Sequence, residues 1–148
     1  MKIAICGSIQ FTHKMKEIAD ELIKLGHEIE LPLTSQRILS GQISMEEFEQ
    51  ESEKKERKIQ DDVIKRYYNI IHDSDAVLIV NPEKKKTPNY IGGNTFLEMG
   101  FAHVLGKHIY ILNDIPTMLY TDEIQAMKPI ILEGNLSKIQ HSGQPIAK

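Results

Sequence analysis

The chain contains one cysteine and no tryptophan among its 148 residues. A single thiol, Cys6, cannot build an internal disulfide framework, and it fits a reducing compartment. No apolar stretch approaches the ~20 residues that a membrane-spanning helix requires. The first residues enter a strand pattern directly, so no signal peptide is expected and a cytoplasmic location is. Neither sign of charge dominates. Eighteen Lys and Arg stand against 21 Asp and Glu, for a net charge of −3. That balance gives no pull toward nucleic acid polymers or an anionic membrane. The six histidines, at positions 13, 27, 72, 103, 108 and 141, have no metal-ligand spacing, so neither a metal nor another cofactor is expected. What is left has the make-up of an ordinary globular domain, 41% apolar and 26% charged.

The apolar pattern supplies the architecture. Lys2 to Cys6 reads as a buried strand that stops at Gly7-Ser8. Thr12 to Leu25 carries Met15, Ile18, Ala19, Leu22 and Ile23 at helical spacing, with Gly26 as its stop. His27 to Leu31 reads as a second strand closed by Pro32. Residues 33–43 read as a loop, and 46–58 as a charged excursion or helix arm, exposed or lying over a site. Ile59, Val63, Ile64, Tyr67, Tyr68 and Ile71 restore helical periodicity. Asp75 to Val80 is apolar on both faces, as a central parallel strand must be. A helix over Asn94 to Leu105, a strand over His108 to Leu112, a short helix over Thr121 to Met127 and a short strand over Ile130 to Leu132 follow. Residues 133–148 read as a tail, disordered at its end. The expectation is one α/β domain over residues 1–132: a doubly wound, flavodoxin-like parallel sheet of about five strands with helices on both faces. Such sheets bind ligands beyond the carboxyl ends of the strands, where the strand order reverses. Gly7-Ser8, Asn81 and the loop leading to Gly93 fall at that edge.

Most chemistry is promised by Asn89 to Ala102, a glycine-containing loop that runs into a helix carrying one acid, Glu98. Gly92 and Gly93 let a ligand approach the backbone closely. Asn94 is the expected helix cap. Glu98 is expected to feel the positive helix N-terminus, to stay ionised and to act as a nucleophile. The turn of Gly7, Ser8, Ile9 and Gln10 offers N–H groups to a sugar hydroxyl or a phosphate. It is neither a Walker loop nor a dinucleotide fingerprint. Lys84 to Lys86 reads more readily as a solvated run than as a source of phosphate charge.

Three segments together resemble the nucleoside 2-deoxyribosyltransferase family, which includes the 2'-deoxynucleoside 5'-monophosphate N-glycosidases. They are Ile5-Cys6-Gly7-Ser8-Ile9, the strand Asp75 to Val80, and Gly92-Gly93-Asn94-Thr95-Phe96-Leu97-Glu98-Met99-Gly100-Phe101-Ala102. The likeness in order and spacing spans residues 2 to 132. It implies that Glu98 attacks the anomeric carbon of a deoxyribosyl group, that a base leaves, and that water or a second base resolves the glycosyl-enzyme ester. The family's assisting aspartate falls on Tyr67 here, with Asp73 and Asp75 nearby, and Tyr67 and Asp75 are the candidates for its role. Gln10 stands where the nucleotide-specific members carry an arginine. The resemblance further implies a homodimer or larger assembly, with Gln125, Ala126 and Met127 reaching into a neighbouring site. Phe101, Val104 and Tyr110 are read equally well as core or as interface. The expected ligand is a nucleoside or its 5'-monophosphate. Two alternatives stay open: a nucleotide sensor of the same fold without turnover, and a phosphoribohydrolase releasing cytokinin-type bases. The latter's glycine loop has a third glycine and a second glutamate that this chain lacks.

Overall fold

A computed structural model describes residues 1–53 and 63–139. Five parallel strands form one sheet: β1 (Lys2–Cys6), β2 (Glu28–Glu30), β3 (Ala76–Ile79), β4 (His108–Ile111) and β5 (Ile130–Ile131), in the order β2-β1-β3-β4-β5. This is the doubly wound, flavodoxin-like order. Its reversal point lies between β1 and β3, where Ile3 to Cys6 pair with Ala76 to Ile79.

Alternation along the strands builds two cores. Ile3 and Ile5 of β1, with Ala76 and Leu78 of β3, pack on Met15, Ile18 and Leu22 of α1 (Thr12–Lys24). Ala4, Cys6, Val77 and Ile79 face the other way. They meet Tyr67 and Ile71 of α4 (Val63–His72), Met99 and Ala102 of α5 (Gly93–Val104) and Ile124 of α6 (Thr121–Ala126). A period of two on the strands and of about 3.6 on the helices makes both faces apolar at once. Tyr110 is wholly buried in the first core, which settles its reading as core. Phe101 is half-buried, and Val104 is 84% exposed.

Residues 33–43 depart from the loop expected of them. Leu33–Leu39 is a helix, α2. It has no side-chain cap, and tertiary contacts hold it. The buried hydroxyls of Ser35 and Thr12 lie 2.8 Å apart and tie α2 to α1. The charged stretch begins as a helix too, α3 (Met45–Glu53). Ser44 and Glu47 form a reciprocal capping box there: the Glu47 N–H donates to Ser44 Oγ at 3.0 Å, and the Ser44 N–H donates to Glu47 Oε1 at 3.3 Å. α3 is not wholly solvated, because Phe48 is buried. The later part of the charged stretch, residues 54–58, lies outside the described residues. So do Ile59 and the end of the tail, 140–148. The tail's beginning is packed rather than loose: Leu136 and Ile139 join the first core.

Candidate active site

A cavity of about 770 Å³ opens at the carboxyl ends of β1 and β3, at the reversal point and within the size range of small-molecule sites. Four pieces of chain wall it. The turn after β1 contributes Gly7, Ser8, Ile9 and Gln10; the loop after β3 and the start of α5 contribute Lys84, Tyr90, Gly92, Gly93, Asn94, Thr95 and Glu98; α4 contributes Val63, Ile64 and Tyr67; and the segment from Pro32 to Glu51 closes the remaining side.

Close packing fixes the first turn. A Cβ on Gly7 would stand 3.0 Å from the Val80 carbonyl oxygen and 3.1 Å from Met15 Sδ, so a side chain there would crowd the end of β3 and α1. Gly93 differs. A Cβ there would meet nothing within 4 Å, which leaves its face open to a ligand. The loop before it is pinned by Tyr120, whose hydroxyl donates to the Ile91 carbonyl and whose ring stacks on Phe96 at 4.5 Å.

The helix start corrects one expectation. Gly92, not Asn94, is the N-cap, and no side chain caps α5. Asn94 is the second helical residue and lines the cavity. The first N–H groups of the helix are thereby left for solvent or a ligand.

Glu98 is the sixth residue of α5, beyond the first turn in which the helix field is strong. Burial decides its state instead. The residue is half-buried, open on the cavity side, while protein closes around the carboxyl. That desolvation pushes its pKa up to about 8, and the nearby Cys6 thiol offsets part of the rise. At neutral pH the carboxyl is therefore largely protonated, contrary to the ionised form expected from its helix position.

Tyr67 lines the cavity, yet its hydroxyl is already committed. It donates to the Ile5 carbonyl, with the Glu30 carbonyl 3.4 Å away, and so ties α4 to β1 and β2. Burial, then the nearby Cys6 and Glu98, raise its pKa well above the ordinary value. Its geometry is that of a strut, not of a proton donor to a leaving base.

Asp75 stands at the wrong end of the sheet. It precedes β3, is exposed, and accepts from the Lys2 N–H at 2.8 Å, so the parallel strands carry it a full strand length from the cavity. Asn81 is buried behind the site. Its amide donates to the Asp114 carbonyl at 3.0 Å and accepts from the Asn113 N–H at 2.9 Å, which clamps the loops after β3 and β4 together. Ala126 and Met127, at the end of α6, lie outside the cavity wall; Ala126 is exposed and Met127 packs against the second core.

The three lysines divide. Lys84 and Thr87 exchange backbone hydrogen bonds of 3.1 and 2.9 Å around Lys85 and Lys86. Those two carry φ of 48° and 66°, the left-handed pair of a tight hairpin turn. They point into solvent as a surface run does, whereas Lys84 turns inward. Its Nζ donates to Ser8 Oγ at 2.8 Å and Gln10 Oε1 at 3.1 Å and sits 5.0 Å from the centre of the Tyr90 ring. All three partners are neutral. Desolvation, then Lys85, lower the Lys84 pKa, and Glu49 of α3 acts the other way.

Arg37, Phe48 and Glu51 also line the cavity and were not singled out from the sequence. The Ser44-x-x-Glu47 box was the available signal for the helix that brings Phe48 and Glu51 there. Among the described residues, no group of His, Cys, Asp and Glu is arranged to hold a metal ion, and no helix is long and apolar enough to cross a membrane.

No family profile and no curated protein matches the sequence. Among solved structures, the chain is similar to the CMP N-glycosidase BcmB of Clostridium botulinum, with a TM-score of 0.51 and 13% identity over 88% of this chain and 85% of that one. At that identity the likeness establishes a shared fold.

Proposed function

We propose that the protein cleaves or transfers the N-glycosidic bond of a nucleoside 5'-monophosphate or its nucleoside, with Glu98 as nucleophile. The observation that carries this reading is Glu98 itself, a carboxyl presented to a ligand-sized cavity beside the open backbone of Gly93. The shared fold with a CMP N-glycosidase supports it. In the first step a Glu98 oxygen bonds to the anomeric carbon, the C–N bond breaks, and its electron pair leaves with the base, which takes a proton from solvent. In the second step water, or the nitrogen of another base, attacks the anomeric carbon and frees the Glu98 carboxylate.

Two cations lining the cavity favour the monophosphate. Among the described residues the hydrogen-bond and ring partners of Lys84 are neutral, and Arg37 stands in the same wall, with Glu51 as the opposing carboxylate. The uncapped start of α5 adds N–H groups of the same polarity. A sugar phosphate meets all three.

The test is release of free base from a panel of nucleosides and their 5'-monophosphates, with and without an acceptor base. Glu98→Ala should lose at least a thousandfold in rate and still bind. Lys84→Met should raise KM for the monophosphate about tenfold or more and leave the nucleoside unchanged. In the native protein kcat/KM should rise with pH toward about 8 as Glu98 ionises. Release that does not depend on Glu98 would sink the proposal. A second reading, a nucleotide sensor without turnover, is favoured by the committed Tyr67 hydroxyl; binding with no base release in either form would establish it.

A further inference from the structure

The ring of Tyr90 lies beside Lys84, and the proposed reaction gives it no part. Tyr90 lines the cavity and is half-buried. The Lys84 Nζ stands over its ring, 5.0 Å from the centre, within reach of a cation–π attraction. The same Nζ donates to Ser8 Oγ at 2.8 Å and to Gln10 Oε1 at 3.1 Å. Local structure fixes the ring. Tyr90 follows Asn89, which holds a left-handed φ of 55°. The Asn89 carbonyl accepts from the buried Asn81 amide at 3.4 Å, and the Tyr90 N–H donates to the Pro82 carbonyl at 3.0 Å. Both ends of the loop that carries Lys84 are thereby tied together. The ring then rests against Gly92, where a Cβ would stand 3.3 Å from both Tyr90 Cε1 and the Tyr90 hydroxyl oxygen. Gly92 is the seat of the ring.

We propose that Tyr90 is a positioning residue: its ring, seated on Gly92, holds the Lys84 ammonium at the turn after β1, where it meets the phosphate of the ligand. The inference rests on the reading of that ligand as a nucleoside 5'-monophosphate.

A lysine needs such help. Its ammonium rides a flexible four-carbon stem, and fixing that stem costs rotamer entropy. Lys85 and Lys86, next in the chain, are exposed. A carboxylate could hold Lys84 too, but the pair would offer an incoming anion little net charge. An aromatic face attracts an ammonium through its quadrupole and carries no formal charge. Ser8 and Gln10 are neutral as well, so Lys84 is held by three groups and keeps its charge for the ligand. Among the described residues no carboxylate lies within ion-pair distance of it, and Glu49 of α3 acts on it from further off. Desolvation and Lys85 work against the charge; the ring works for it.

The experiment pairs calorimetry with proton NMR on the full chain. The probe is ribose 5-phosphate, which carries the phosphate and no base, so its binding does not depend on base release. Tyr90→Leu should weaken the probe about fivefold or more, and Tyr90→Phe, which keeps the ring, should stay within about twofold of the native protein. In a Lys84→Met background Tyr90→Leu should cost nothing further, as it must if one residue acts only through the other. In the native protein the ring current of Tyr90 should move the Lys84 Cε protons upfield of those of Lys85 and Lys86, and the displacement should vanish in Tyr90→Leu. Equal losses in the phenylalanine and leucine variants would assign the effect to the hydroxyl and overturn the proposal. So would a leucine effect that persists without Lys84, a probe that does not bind the native protein, or Lys84 protons that are not displaced there. That last signal decides the matter if the leucine variant does not fold. Base release that requires Glu98, with probe binding indifferent to Tyr90, would sink this inference and leave the glycosidic reading standing. Probe binding that follows Tyr90 through Lys84, with no base released from any nucleotide, would do the reverse.

Discussion

At the scale of single residues, Glu98 sets function against stability. A carboxyl with its pKa near 8 in the folded chain and near 4.5 in the unfolded one binds more protons when folded at every pH between those values. Stability therefore falls as pH rises through that window and levels off above about 8. The slope is at most roughly 1 kcal/mol per pH unit, tempered by water in the cavity. Glu98→Gln removes the titration and keeps the shape. Denaturant unfolding should find the native protein losing stability from pH 6 to pH 9 relative to the glutamine variant, and the variant the more stable of the two at pH 9. A native protein whose stability relative to the variant stays constant over that range would mean that Glu98 is ionised throughout and not governed by burial. On the proposed function Glu98 is an active-site group held at a cost in stability, a pattern common among enzymes.

At the scale of elements, two glycines in the site exist for different reasons, and substitution separates them. Gly7→Ala drives a Cβ against the Val80 carbonyl and Met15 and should cost about 1–3 kcal/mol in unfolding free energy. Gly93→Ala meets open space in a helical residue and should leave stability unchanged or slightly improved, since alanine suits a helix better. Its methyl would project into the face proposed for the ligand, so calorimetry should find nucleotide binding weakened about tenfold or more. Undiminished binding to Gly93→Ala would remove the sugar from that face.

The strands and long helices were legible because their apolar periods are unambiguous. Ile3 and Ile5 against Ala4 and Cys6 sort to opposite faces of the sheet without help from distant sequence. The glycine-edged cavity with Glu98 followed from topology. What stayed illegible depended on contacts remote in the chain. α2 is held through Ser35 and Thr12, 23 residues apart, and no local signal encodes that tie. The inward turn of Lys84 arises from left-handed lysines at positions 85 and 86, residues with no special preference for that conformation. The state of Glu98 is not legible in the sequence, because helix position is a local property and desolvation is a tertiary one. Asp75 was misplaced for a simpler reason: nearness to a strand says nothing about which end of the sheet the residue occupies.

At the scale of the whole molecule, a chain of net charge −3 places two cations, Lys84 and Arg37, in the cavity wall beside Glu51 and Glu98. The doubly wound order gathers the turn after β1, the start of α5 and the α2–α3 segment at one reversal point, and only the folded chain brings Glu98 and the cations to one cavity. The most direct test of the account is mass spectrometry after exposure to a 2'-deoxy-2'-fluoronucleoside 5'-monophosphate near pH 8, where a fluorinated sugar should slow the second step more than the first. One added fluorodeoxyribosyl phosphate is expected, mapped to the peptide containing Glu98 and absent from Glu98→Gln. Turnover of the unfluorinated nucleotide with no label on Glu98, or binding without turnover, would contradict it.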